Sequence, residues 1–96
     1  MAAYLIVDQL GITDPDTMKE YARGVGATVA KFGGEALARS DQCEMLEGTY
    51  QPRLVIMLRF PDMDALKGWY YSDDYAELKA MRHRSSKANM YAVDGF

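Results

Sequence analysis

The chain has 96 residues, 49% of them hydrophobic and 26% charged, which is the size of one domain and the composition of a folded chain rather than a disordered one. Its 14 Asp and Glu outweigh 11 Lys and Arg, for a net charge of -3, so it lacks the basic field of a general nucleic-acid binder. The single cysteine, Cys43, cannot close an intrachain disulfide. The apolar run Ala2 to Val7 stops at Asp8, too short for a leader, and nothing approaches the ~20 apolar residues of a membrane span. The expectation is one domain over residues 1–96, cytoplasmic, with no nucleic-acid or membrane partner.

A first strand is expected from Ala3 to Gln9, where AYLIVDQ is short and rich in Ile and Val. Asp14 then caps a helix that Pro15 opens, and Asp16 and Glu20 sit where the helix dipole favours negative charge. Met18, Tyr21, Ala22, Val25, Val29 and Phe32 recur at three and four along it. Gly33-Gly34 ends it, since glycine accepts the left-handed cap conformation. Gly24 and Gly26 inside the helix each cost about 1 kcal/mol against alanine, which points to a bend or to close packing.

A second strand runs from Glu35 to Arg39, and Ser40-Asp41-Gln42 forms a turn. Cys43 to Leu46 reads as a short extension of the sheet, stopped at Gly48. The third main strand is Arg53 to Phe60, RLVIMLRF, bracketed by Pro52 and Pro61. Asp62 caps a second helix whose apolar face is Met63, Leu66, Trp69 and Tyr70. Ser72-Asp73-Asp74 marks a break or a new cap before a helix from about Asp74 to Ser86, and the last strand is Asn89 to Val93.

The order β-α-β-β-α-β is the split βαβ or ferredoxin-like arrangement, an α+β fold with helices on one face of a four-stranded antiparallel sheet. The other face of such a sheet normally turns polar residues to water. Here Tyr4-Leu5-Ile6-Val7, Leu54 to Leu58 and Met90 to Val93 are apolar on both faces. The simplest cover is the same sheet from a second copy about a two-fold axis, a homodimer joined through its sheet faces as a dimeric α/β barrel. A chain this short buries only roughly two-thirds of its unfolded surface, which favours such a partner.

The sequence holds no GxGxxG, phosphate-loop, GxSxG or HExxH pattern, and a single His83 cannot build a histidine cluster. No metal site and no cofactor are expected, and no catalytic residue is assigned. The stronger signal is a charge on an apolar arc. At about 100° per residue, Tyr71, Tyr75, Leu78, Met81, Arg82 and Ser85 share one face of the last helix. An arginine drawn toward a core needs a carboxylate, a carbonyl or a ligand anion, unless it snorkels to water. Arg82 is therefore the first candidate for a small-molecule ligand site, with Trp69, Tyr70 and Tyr75 as pocket walls or as plain core. Tyr21 stands on the apolar face of the first helix, with core packing and pocket lining both open to it. Arg39 and Glu47 are candidates from the sheet side, or else a rim salt bridge. His83 and Glu77 fall outside the arc, so His83 is expected to face solvent.

Asp14-Pro15 with Tyr21, Phe32-Gly33-Gly34, Arg39, Leu46-Glu47-Gly48, and Trp69-Tyr70 through Ser72 to Tyr75 and Arg82 together resemble the DUF1330 family of bacterial proteins, along nearly the whole chain. Gly26 stands where many relatives carry proline, and Ser72-Asp73-Asp74 where they show Ser-Pro-Glu. The resemblance implies a dimeric barrel built on the ferredoxin-like unit. The wider group it implies includes cofactor-free monooxygenases, lactone isomerases and haem enzymes, and fold does not choose among chemistries. The functional expectation is a small anionic or aromatic metabolite held between sheet and helices on Arg82. Cofactor-free proton transfer or oxygenation would be its chemistry as an enzyme, and a non-catalytic ligand-binding or structural homodimer is the alternative.

Overall fold

The alternation expected of a two-sided strand is plain in β1 (Ala3–Ile12). In a computed structural model that describes every residue from Met1 to Phe96, Ala3, Leu5, Val7 and Gln9 are buried, and Tyr4, Ile6, Asp8 and Leu10 are half-buried between them. The other elements are α1 (Pro15–Lys31), β2 (Glu35–Ser40), β3 (Leu54–Phe60), α2 (Met63–Tyr70), α3 (Asp73–Ser85) and β4 (Ser86–Asp94). The strands form one sheet in the order β2-β3-β1-β4, with antiparallel pairing throughout. This is the expected ferredoxin-like α+β fold.

The register sorts side chains into two faces. Leu5 lies opposite Leu58 and Ala92, and Val7 opposite Ile56 and Met90. With Phe60, Val29, Leu66, Trp69 and Tyr75, Leu5 and Val7 make the core under the helices. Tyr4 and Ile6 lie on the opposite face, beside Met57 from β3 and Tyr91 and Val93 from β4. Tyr91 remains 55% exposed.

The helix ends follow the sequence signals. Asp14 accepts from the Thr17 N–H, Asp62 from the Ala65 N–H and Ser72 from the Tyr75 N–H. Gly33 takes φ +80° just after α1, the left-handed conformation the Gly-Gly pair promised. Close packing explains Gly24, because a Cβ there would lie 3.2 Å from Leu78 Cδ2 on α3. Gly26 has open space around it.

Three boundaries differ from expectation. β1 runs to Ile12, because a bulge between Gln9 and Gly11 resets the register and lets Gly11 and Ile12 pair with Lys87 and Ser86. β4 therefore starts at Ser86, with no residue between it and α3. Cys43 to Leu46 is not a strand: β3 begins at Leu54, so its ladder with β2 ends at the Ser40–Val55 pair, before Cys43 is reached. Residues 41–53 instead form a long connection, tied back where the Tyr50 hydroxyl and the Arg53 N–H donate to the Asp8 carboxylate.

Candidate functional site

The break at Tyr71 and Ser72 sets up the site. Ser72 Oγ donates to the Trp69 carbonyl at 2.7 Å while accepting from the Tyr75 N–H, so one side chain closes α2 and opens α3. This joint brings the aromatic cluster together. The Trp69 and Tyr75 ring centroids lie 4.2 Å apart, and Tyr70 lies 6.0 Å from Tyr75. Trp69 Nε1 donates to Thr28 Oγ1 on α1 at 3.0 Å, so its one polar atom is satisfied inside the core. Tyr71, expected on the buried arc, caps α2 and is 74% exposed. Its backbone belongs to the end of α2, so the phase of α3 does not extend to it.

Along α3 the buried residues are Tyr75, Arg82 and Ser85, one narrow stripe. Tyr75 is fully enclosed and Arg82 only 7% exposed. Arg82 Nε donates to the Tyr75 hydroxyl oxygen at 3.3 Å, and the Tyr75 and Tyr21 hydroxyls lie 2.8 Å apart. The guanidinium thus occupies one acceptor site of Tyr75, and the two phenols share one further hydrogen bond. Burial, reinforced by Tyr75, pushes the Tyr21 hydroxyl well above the ordinary phenol range. Tyr21 therefore stays protonated at physiological pH.

Arg82 Nη2 lies 3.1 Å from His83 Nε2. An arginine only donates, so His83 Nε2 accepts and the imidazole is neutral, with its proton on Nδ1. Desolvation, then Arg82 and Lys79, hold its pKa below the ordinary histidine value. His83 is exposed, as its place off the apolar arc led one to expect, but its ring bends back to the guanidinium.

No carboxylate meets Arg82. The two ion pairs of the fold join Lys31 to Asp74 and Arg59 to Glu35, both at the surface. Arg82 and His83 instead face an open cleft of about 530 Å³ at the α3–β4 junction. Tyr70, Leu10 and Met90 give it apolar wall, Lys87 adds a second cation, and no acidic residue lines it. Leu10 reaches the cleft as the residue at the β1 bulge.

The seven candidate positions fall into three groups. Arg82 and Tyr70 line the cleft. Tyr75, Trp69 and Tyr21 stand behind it as a packed, hydrogen-bonded layer. Arg39 is exposed on the edge strand β2 and Glu47 is exposed in the 41–53 connection; no ion pair joins them, and neither lines the cleft. Lys87 also lines the cleft, but it precedes the expected start of the last strand at Asn89, so its place there is not legible in the sequence. Gln9, at every second residue after Ala3, Leu5 and Val7, is a polar side chain on the buried face and does not line the cleft.

No group of three His, Cys, Asp or Glu side chains comes together to hold a metal ion, and no helix is long and apolar enough to cross a membrane. No curated protein matches the chain. Among solved structures it is similar to a protein of unknown function from Rhodopseudomonas palustris, with a TM-score of 0.78 and 13% identity over 99% of this chain and 82% of that one. A dimeric ferredoxin-like protein of unknown function from Jannaschia sp. CCS1 gives 0.73 and 12%, over 99% and 100%. SnoaB, a cofactor-independent oxygenase from Streptomyces nogalater, gives 0.62 and 12%, over 99% and 91%. At such identities the likeness is one of fold. The family model for a domain of unknown function, DUF1330, matches residues 2–96, nearly the whole chain, and the chain belongs to that family.

Proposed function

We propose that this protein binds a small organic anion in the α3–β4 cleft, with Arg82 as its anchor, and that it does so as a homodimer joined through the open sheet faces. One observation carries the ligand: a buried guanidinium whose only side-chain partners are a phenol and a neutral imidazole. A buried charge without a counter-charge costs several kcal/mol unless something offsets it. A bound carboxylate or enolate offsets it, and the planar fork of arginine suits either. Lys87 adds long-range attraction, while Tyr70, Leu10 and Met90 offer surface to an aromatic or aliphatic body. The apolar outer face and the dimeric Jannaschia neighbour support the assembly.

The test is a thermal-shift and NMR titration against small carboxylates, phenols and lactones, with Arg82→Ala beside the wild type. A ligand at about 100 times its dissociation constant stabilises the native state by roughly 2.7 kcal/mol, a shift of several degrees at this size. The shift is expected to vanish in Arg82→Ala. Equal affinity in the two proteins removes Arg82 from the site.

A second reading, cofactor-free proton transfer, is favoured by the hydrogen-bonded series Tyr21, Tyr75, Arg82 and His83 and by the oxygenase among the fold neighbours. In it a carbon acid draws the Arg82 guanidinium away from His83, the freed His83 Nε2 lone pair takes the carbon-bound proton, and the guanidinium stabilises the enolate. Deuterium exchange into a bound carbon acid, lost in His83→Gln, separates it from binding without turnover.

A further inference from the structure

Only part of the Arg82 guanidinium is engaged by the protein. Nε and Nη2 share one edge of the planar group, and both have partners: Nε donates to the Tyr75 hydroxyl oxygen at 3.3 Å and Nη2 to His83 Nε2 at 3.1 Å. Nη1 bonds to nothing in the protein, yet it keeps accessible surface although the residue is buried. Arg82 lines the cleft, so the end of the group that carries Nη1 is the end open to it. A guanidinium has five N–H groups; with two used, three remain, two on Nη1 and one on Nη2. The engaged edge is fixed. Tyr75 is fully buried, its ring centroid lies 4.2 Å from that of Trp69, and its hydroxyl lies 2.8 Å from that of Tyr21 on α1. An acceptor held by α1 and α2 together leaves the guanidinium little freedom to turn, and a donor that is already oriented loses less on binding.

Resting on the anion-site reading above, we infer that the ligand is a carboxylate taken up end-on, by Nη1 and the free Nη2 hydrogen, and that Tyr75 is the positioning residue that turns this end to the cleft. Two parallel N–H groups match the two oxygens of a carboxylate. An anion with a single charged oxygen, such as a phenolate, satisfies the pair less well. Tyr75 does not line the cleft and acts through Nε alone.

Phenylacetate and pentafluorophenolate make the test, since both are aromatic anions at neutral pH and only the first has a carboxylate. Titrations followed by NMR are run on wild type, Tyr75→Phe, Arg82→Lys and Arg82→Ala, with hydrogen exchange at the arginine Nε–H groups recorded. Wild type is expected to bind phenylacetate about tenfold more tightly than the phenolate, the size of one further charge-assisted hydrogen bond. Arg82→Lys keeps a point charge without the fork and is expected to lose that preference. Tyr75→Phe keeps the ring and frees Nε, so phenylacetate affinity is expected to fall about tenfold while the Arg82 Nε–H exchanges faster. Equal affinities for the two anions in wild type, both lost in Arg82→Ala, overturn the carboxylate assignment and leave the anion site standing. So does a preference that survives in Arg82→Lys. Unchanged phenylacetate affinity in Tyr75→Phe overturns the positioning role, and so does a loss of affinity with unchanged Nε–H exchange, which assigns the loss to packing. Should Tyr75→Phe not fold, a slowly exchanging Nε–H signal in wild type that is missing from Arg82→Lys supports the positioning role, and its absence from wild type overturns it. Failure of both anions to bind wild type overturns the inference and the anion site together.

Discussion

At the scale of single residues, the contact between Arg82 and His83 makes the protein pH-sensitive. His83 faces Arg82 and Lys79 on its own helix, with Lys87 of β4 across the cleft. Its native pKa lies below 6.5, so between that native value and 6.5 the unfolded chain binds more protons than the native one. Stability is complete above this window and declines as the pH falls through it. The Asp14 carboxyl, held low chiefly by the Thr17 hydroxyl and then the Thr17 N–H, acts separately, in a window below 3.8. Melting curves from pH 8 to 5 should show the histidine step in wild type and not in His83→Gln, which keeps an acceptor for Arg82; an identical profile in the variant excludes His83 as its source. A bound anion pulls the other way, raising the His83 pKa, so carboxylate affinity should climb across the same interval. Arg82 was legible in the sequence because a charge interrupted an apolar arc. His83 was not, because a helical wheel fixes where a Cα points and not where a ring folds back.

At the scale of elements, the joint between α2 and α3 governs the site. Ser72 serves both helices, so Ser72→Ala removes a cap from α3 and a tie from α2. Such a loss costs about 1 kcal/mol, or roughly 4–8 °C for a domain of this size. Tyr75 and Arg82 ride on α3, so carboxylate affinity should fall with it. A calorimetric melting point within a degree of wild type would show that the cap is dispensable. The joint itself was readable, since Ser72-Asp73-Asp74 offers a cap followed by first-turn acids. The start of β4 was not. Ser86 and Lys87 are polar and adjoin a helix rich in Arg, and only the bulge in β1 makes partners for them. The expected strand from Cys43 to Leu46 failed for the complementary reason: as a continuation of β2 it runs past the start of β3 at Leu54, where its ladder partner ends.

At the scale of the molecule, the outer face decides the assembly. Ile6, Met57, Tyr91 and Val93 form an apolar surface that α1, α2 and α3 do not touch, being on the other side of the sheet. Light scattering at micromolar concentration should give twice the chain mass, and a double variant Ile6→Lys, Tyr91→Lys should give the chain mass with its circular dichroism retained. A wild-type monomer would refute the proposed face-to-face packing. This face was visible in the sequence as strands apolar at both parities, which is also why the fold class could be read with no motif present.

The strand order β2-β3-β1-β4 has a further consequence, for colloidal behaviour. The proposed packing through faces would leave β2 and β4 as open edges in every copy, each with an unpaired row of backbone groups that invites end-to-end growth into fibrils. Both edges are blunted. The ladder of β2 slips between Ala36 and Ala38, and Glu35 and Arg39 stand exposed beside the slip. On β4, exposed Lys87 and Asn89 put polar side chains along the edge. An irregular, charged edge is a poor template for another strand. The slip in β2 and the charges along both edges thus help to keep the protein from polymerising.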